Sequence, residues 1–180
     1  VLMLRDPASA AVMFANAGFN FTSISSKFVL LPMLAIDVWG LGAAGLGSVM
    51  GGMSLLQLAS AKPAAHVADV YGRKHALLPG LGLTAAAMTL AASGIAGPVW
   101  TAPLVCGGWA LGTSLVGSVP NALALDTAGR LGLGQEGTAR ALAVSRAAGD
   151  LGMAAGCLAS GALLAACGSQ GAFGVQAGLL

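Results

Sequence analysis

An all-α, polytopic transmembrane helix bundle is the fold this sequence predicts, and three observations predict it. Of 180 residues, 57% are hydrophobic and only 8% charged, against about a quarter charged in an ordinary soluble domain; the mean hydropathy is +0.85. The apolar residues gather into runs close to the roughly 20 residues that a membrane helix needs, with short polar breaks between them. Ala, Gly and Leu dominate these runs without period-two alternation, so strands are not expected. Eight basic and six acidic residues, a net charge of +2, are too few to coat a soluble globule. They are also too few to track a nucleic-acid backbone, so an ordinary cytosolic enzyme and a nucleic-acid binder are excluded.

The elements follow in order. The first apolar stretch lies near residues 9–36 and ends at Asp37, Trp39 and Gly40. The second lies near 41–65 and ends in the polar run 66–75, which holds most of the central charge. The third, near 76–96, is closed by Gly97-Pro98, a turn signal because proline has no amide donor. The fourth, near 101–125, is followed by the longest polar connection, 126–140. The fifth, near 141–166, stops at Gly168-Ser169-Gln170, and a sixth begins near 172. The chain starts at Val1 without a signal-peptide layout and ends in an apolar run, so a fragment of a longer protein is expected.

Charge placement supports this division. Arg5, Lys62, Arg73, Lys74, Arg130, Arg140 and Arg146 fall at or near one face, and the alternate connections carry neither Lys nor Arg. The positive-inside rule makes that face cytoplasmic and the chain a multi-pass integral membrane protein. The eighth basic residue, Lys27, lies within the first stretch, ten residues before Asp37. At 1.5 Å per residue that is roughly 15 Å of helix, more than a lysine stem covers by snorkelling.

Polar residues inside apolar helices are costly, so their spacing is informative. Asn16, Asn20, Ser23 and Lys27 fall at i, i+4, i+7 and i+11, one face of a helix. Ser114, Ser118 and Asn121 fall at i, i+4 and i+7 in the fourth stretch. Such stripes line a polar cavity or bond helix to helix. A cavity-facing Lys27 could bind an anionic group or carry a proton; alternatively it pairs with a carboxylate on another helix. Arg146 and Asp150 stand at i and i+4 on the fifth helix, the spacing of an ion pair. Gly47/Gly51 and Gly152/Gly156 are GxxxG pairs that permit close helix crossing. Pro32, Pro63, Pro79, Pro103 and Pro120 are expected to bend or end helices.

The connection after the second stretch reads Ala65-His66-Val67-Ala68-Asp69-Val70-Tyr71-Gly72-Arg73-Lys74-His75-Ala76-Leu77. It resembles the loop signature of the major facilitator superfamily, G-x-L-A-D-R-x-G-R-R/K-x-x-L, with Ala65 in place of the leading Gly and Val70 in place of the first Arg. The segment from Gly137 to Gly152 resembles the start of the fifth helix in that superfamily. Gly152 and Gly156 fit its G-x-x-x-G-P antiporter form, in which Cys157 replaces the Pro. Leu4-Arg5-Asp6-Pro7 resembles the opening of the second half of such proteins, and the fourth helix lacks the Arg usual in the first half, so a C-terminal half is expected.

The resemblance implies one six-helix repeat of a secondary transporter (uniporter, symporter or antiporter) working by alternating access. It implies a cavity lined by the first and fourth helices, hence by Asn16, Asn20, Ser23, Lys27, Ser114, Ser118 and Asn121. It implies a cytoplasmic gate built from Asp69, Gly72, Arg73 and Lys74 with Asp126, Arg146 and Asp150, where Asp69 caps a helix or accepts from a basic group. The implied partners are a small-molecule solute, a proton or another coupling ion, the lipid bilayer and the other six-helix half. Rival readings are a non-transporting receptor or scaffold of the same fold and a membrane-embedded enzyme.

Other signals are set aside. G-x-G-x-x-G occurs at 40–45 and at 132–137, but neither follows a strand, as a dinucleotide site requires. Cys106, Cys157 and Cys167 lie in apolar stretches without a CxxC, and His66 and His75 lack a third ligand. No nucleophile–base set stands out, so neither a catalytic residue, a metal nor a cofactor is expected.

Overall fold

The computed structural model describes residues 7–95, 98–117 and 119–180, apart from the side chains of residues 7–9 and Lys74. Arg5, Gly97 and Ser118 lie outside the described residues, as does the Lys74 side chain. All described elements are helical, with no strand among them. Helix α1 (Pro7–Phe19) passes through a π-helical turn, Asn20–Ile24, into α2 (Ser25–Asp37), giving one rod. Next come α3 (Ala43–Val70), α4 (Arg73–Ala92), a single 3-10 turn at Val99–Thr101, α5 (Ala102–Gly117), α6 (Val119–Arg130) and α7 (Gln135–Leu179).

Helix α7 is two rods. Its 45 residues include Gly168 at φ 72, ψ 178, a conformation open essentially to glycine alone. Gln176 Nε2 donates to Ser160 Oγ at 3.1 Å across that point, whereas sixteen residues of straight helix would hold them about 24 Å apart. The chain therefore folds back at Gly168. A Cβ there would meet nothing within 4 Å, so Gly168→Ala tests conformation alone. It is expected to cost about 1–3 kcal/mol, read as a lowered thermal midpoint of the detergent-solubilised protein.

Four of the boundaries differ from the sequence reading. The second helix continues through Pro63 to Val70, so the connection there shrinks to Tyr71 and Gly72, the latter at φ 94. The third helix stops at Ala92, four residues early, where Ser93 N–H bonds back to Leu90 and Thr89 and Gly94 turns the chain at φ 71. The fourth continues to Arg130, and the fifth starts at Gln135.

Among the described residues, four helices are long and apolar enough to cross a membrane: Ala10–Asp37, His75–Ala92, Val99–Arg130 and Gln135–Leu179. The expected second span, 41–65, is a helix but falls outside this set: Gln57, three serines and four glycines dilute the apolar content of Ala43–Val70.

Close approaches fix the direction of each rod. Asn16, Ala17, Phe21 and Ser25 meet Ser145, Gly152, Gly156 and Ser160 in that order, so the first and fifth rods run parallel. Gln57 meets Thr113 and Leu56 approaches Gly107, so the second and fourth do too. Gly80 faces Gly112 and Ala87 faces Gly108, so the third and fourth are antiparallel. Ser23 meets Trp109 while Asn16 and Asn121 share one cavity, so the first and fourth are antiparallel. The rods thus alternate in direction, and Lys62, Arg73, Asp126, Arg130, Glu136, Arg140 and Arg146 fall toward one end.

The apolar core occupies the other end, where Leu30, Leu31, Leu34, Met88, Val105, Trp109 and Phe173 are buried together. Small residues let the rods close. At Gly152 and Gly156 an added Cβ would fall on the Ala17 and Phe21 carbonyls, so backbone rests on backbone. The other pair expected to do this, Gly47 and Gly51, meets nothing within 4 Å; the same spacing there is unused.

Candidate functional site

Two polar groups sit near the halfway points of the rods. The first is a chain of hydrogen bonds. Lys27 Nζ donates to Gln57 Oε1 at 3.1 Å, Gln57 Nε2 donates to Thr113 Oγ1, and Thr113 in turn donates to the Trp109 carbonyl at 2.9 Å. Buried Trp109 donates through Nε1 to Ser23 Oγ at 2.9 Å. Each polar side chain of this relay thereby has a partner, the condition for placing it among apolar helices.

The second is a cavity of about 270 Å³ on the basic-end side of the apolar core. Asn16 and Asn20 reach it from the first rod, Gln57 from the second, Thr113 and Asn121 from the fourth, and Arg146 and Asp150 from the fifth. Its amides are held by the chain itself. Asn16 Nδ2 donates to the Ser145 carbonyl at 2.8 Å, and Asn20 Nδ2 donates to the Asn16 carbonyl and Oδ1 at 2.8 and 3.0 Å.

The π-helical turn Asn20–Ile24 borders both groups. Its hydroxyls, with those just beyond it, bond back along the rod. Thr22 donates to the Gly18 carbonyl at 3.0 Å, Ser26 to the Thr22 carbonyl at 2.6 Å, and Ser25 to the Phe21 carbonyl. Such back-bonding competes with the regular ladder, and single π turns recur at functional sites.

The residues singled out from the sequence are distributed as follows. Asn16, Asn20, Asn121, Arg146 and Asp150 meet at the cavity. Ser23 does not line it: it is fully buried on Trp109. Lys27 stands outside it, half-buried, reaching it only through Gln57, and its hydrogen-bond partner is this amide, not a carboxylate. Ser114 donates to the Gln57 carbonyl at 3.4 Å. Gln57, Thr113 and Trp109 were not anticipated; a lone glutamine in an apolar run signals an interhelical bond, because it cannot be buried unpaired.

At the basic end Arg73 Nη2 pairs with Asp126 Oδ2 at 2.7 Å, tying the start of α4 to α6. Asp69 is exposed inside α3, and Gly72, not Asp69, occupies the N-cap position of α4. The expected Arg146–Asp150 ion pair is not formed among the described residues, although Glu136 and Arg140, four apart on the same helix, do pair. The order of charges accounts for this: acid before base is the favourable sense at i, i+4, and Arg146 before Asp150 is the reverse.

Comparison of the chain with known protein families, with curated proteins and with solved structures returns no match.

Proposed function

We propose that this chain is a six-helix half of a membrane-embedded secondary transporter of the major facilitator type, moving a small solute by alternating access. The observation that carries the reading is the cavity of about 270 Å³, lined by amides and charges from four rods and lying near the halfway points of helices that are otherwise apolar. Polar groups at membrane depth are retained where they serve a water-filled path or a ligand. Alternating rods with one basic end suit a multi-pass protein whose basic end faces the cytoplasm. The Arg73–Asp126 pair adds to the loop resemblance, because it anchors the arginine that follows the motif's Gly72 on a neighbouring helix end. The cavity lies on the basic-end side of the apolar core, the cytoplasmic side under the positive-inside rule.

The test is uptake by proteoliposomes carrying the full natural polypeptide, against a panel of small solutes, with and without a pH gradient. Accumulation above that of empty liposomes is expected. Lys27→Ala is expected to lower it, because it removes the charge-assisted bond to Gln57 and orphans Gln57 Oε1 beside the cavity. Ligand binding without flux would favour the receptor or scaffold reading.

A further inference from the structure

The cavity walls differ in what they leave unused. Asn16, Asn20 and Gln57 are engaged by the chain itself. Arg146, Asp150 and Asn121 line the same space, yet none of the three forms an ion pair or hydrogen bond among the described residues. A guanidinium that can donate a two-pronged bond and a carboxylate that can only accept therefore face one cavity, side by side and open.

Both charges open onto the cavity and not onto a protein partner among the described residues. Asp150 lies one helical turn, about 6 Å, beyond Arg146, and the side chains of Asn121, Arg146 and Asp150 are all exposed. A lone carboxylate there needs water or a ligand. Two opposite charges on one helix face, with Cβ atoms about 5–6 Å apart, present a dipole and not a net charge. The complementary solute carries its own anion and cation a short distance apart. A volume of about 270 Å³ is just below the range of about 300–1,000 Å³ typical of drug-sized ligands, which suits a compact metabolite.

We propose that the cavity binds a small zwitterion bearing a carboxylate and a protonated amine, of the α-amino acid class, with Arg146 receiving the carboxylate, Asp150 the ammonium and Asn121 a remaining polar edge. The inference rests on the transporter reading for its flux but not for its binding, and the two are separable. No bond is made or broken, and the solute leaves as it entered. Selectivity is electrostatic: a solute lacking either charge leaves one wall group without its counter-charge.

The experiment uses the full natural polypeptide in detergent and in proteoliposomes. The probes are unmodified α-amino acids, the same compounds amidated at the carboxylate, and the same compounds acetylated at the amine. Binding is read by calorimetry and flux by radiolabel uptake. At least one unmodified amino acid is expected to bind, with each blocked form weaker by about tenfold or more. Arg146→Gln is expected to erase the preference for the free carboxylate over its amide, and Asp150→Asn the preference for the free amine over its acetylated form. Both variants are expected to keep the thermal midpoint of the natural protein, since neither group holds a partner in the fold. A preference for the amidated or the acetylated form, or for an uncharged solute such as a sugar, overturns the zwitterion assignment while leaving transport standing. Amino-acid binding without flux upholds the assignment and overturns transport. Failure of every solute to bind or accumulate overturns both.

Discussion

Gly152→Ala is expected to destabilise the bundle, whereas Gly51→Ala, the same substitution in the same GxxxG spacing, is expected to stabilise it. A methyl on Gly152 would fall on the Ala17 carbonyl and its carbon, and backbone cannot swing aside as a side-chain end can. The first and fifth rods would have to part, opening the interface that also holds Asn16 on the Ser145 carbonyl. Overpacking of this kind costs about 1–3 kcal/mol and sometimes more, and Gly152→Val is expected to exceed that range. Gly51 meets nothing within 4 Å, so alanine there contributes only helix propensity, up to about 1 kcal/mol of gain. Thermal midpoints of the two purified variants in one detergent check the pair. Equal shifts of the same sign would refute the packing of the first rod on the fifth.

Trp109→Ala is expected to cost about 3–5 kcal/mol, the usual range for deleting a large buried aromatic. Trp109 is fully buried. It packs edge-on against Phe173 with ring centroids 5.8 Å apart and donates to Ser23. One side chain therefore joins the fourth rod to the first and to the returning segment after Gly168. Trp109→Phe separates the two contributions. It keeps most of the apolar contact but leaves Ser23 Oγ without its donor, at a cost of about 1–3 kcal/mol. Denaturant unfolding followed by far-ultraviolet circular dichroism ranks the three proteins, with natural protein most stable, Trp109→Phe next and Trp109→Ala least. Reversal of the last two would remove Trp109 as a packing centre.

Much of the architecture is legible in the sequence because it depends on one-dimensional properties. Long apolar runs make rods, and Gly72 and Gly168 stand where the chain turns through positive φ. Helical periodicity puts Asn16 and Asn20 on one face, which lines a cavity where it meets Asn121 of the fourth rod. What was not legible depends on which rods meet. Gly152/Gly156 and Gly47/Gly51 are indistinguishable as motifs, yet only the first pair faces another backbone. Gly80 and Gly112 form no GxxxG pair but let the third and fourth rods touch, since a Cβ on either would strike the other's carbonyl.

The same distinction runs through the polar residues. Ser23 shares the stripe of Asn16 and Asn20 but is buried on Trp109, because the rod turns through a π-helical segment just there and the fourth rod supplies an indole N–H. Gln57 belongs to no stripe, and only the meeting of the first, second and fourth rods joins Lys27 to Thr113 through it. The Arg146–Asp150 spacing read as an ion pair, but the order of the two charges and the open cavity beside them leave both without an ion pair among the described residues.

The most direct measurement is cysteine accessibility in proteoliposomes, after replacing Cys106, Cys157 and Cys167 by alanine. Cysteines placed singly at Asn121 and Asp150 line the polar cavity, whereas those at Phe14 and Leu158 lie on exposed apolar surface. A charged, water-soluble thiol reagent given access to both membrane faces is expected to label the first two and spare the last two, which hydrocarbon would cover. Labelling of Phe14→Cys and Leu158→Cys as rapid as that of Asn121→Cys and Asp150→Cys would contradict a polar, water-reached cavity set among membrane-embedded apolar rods.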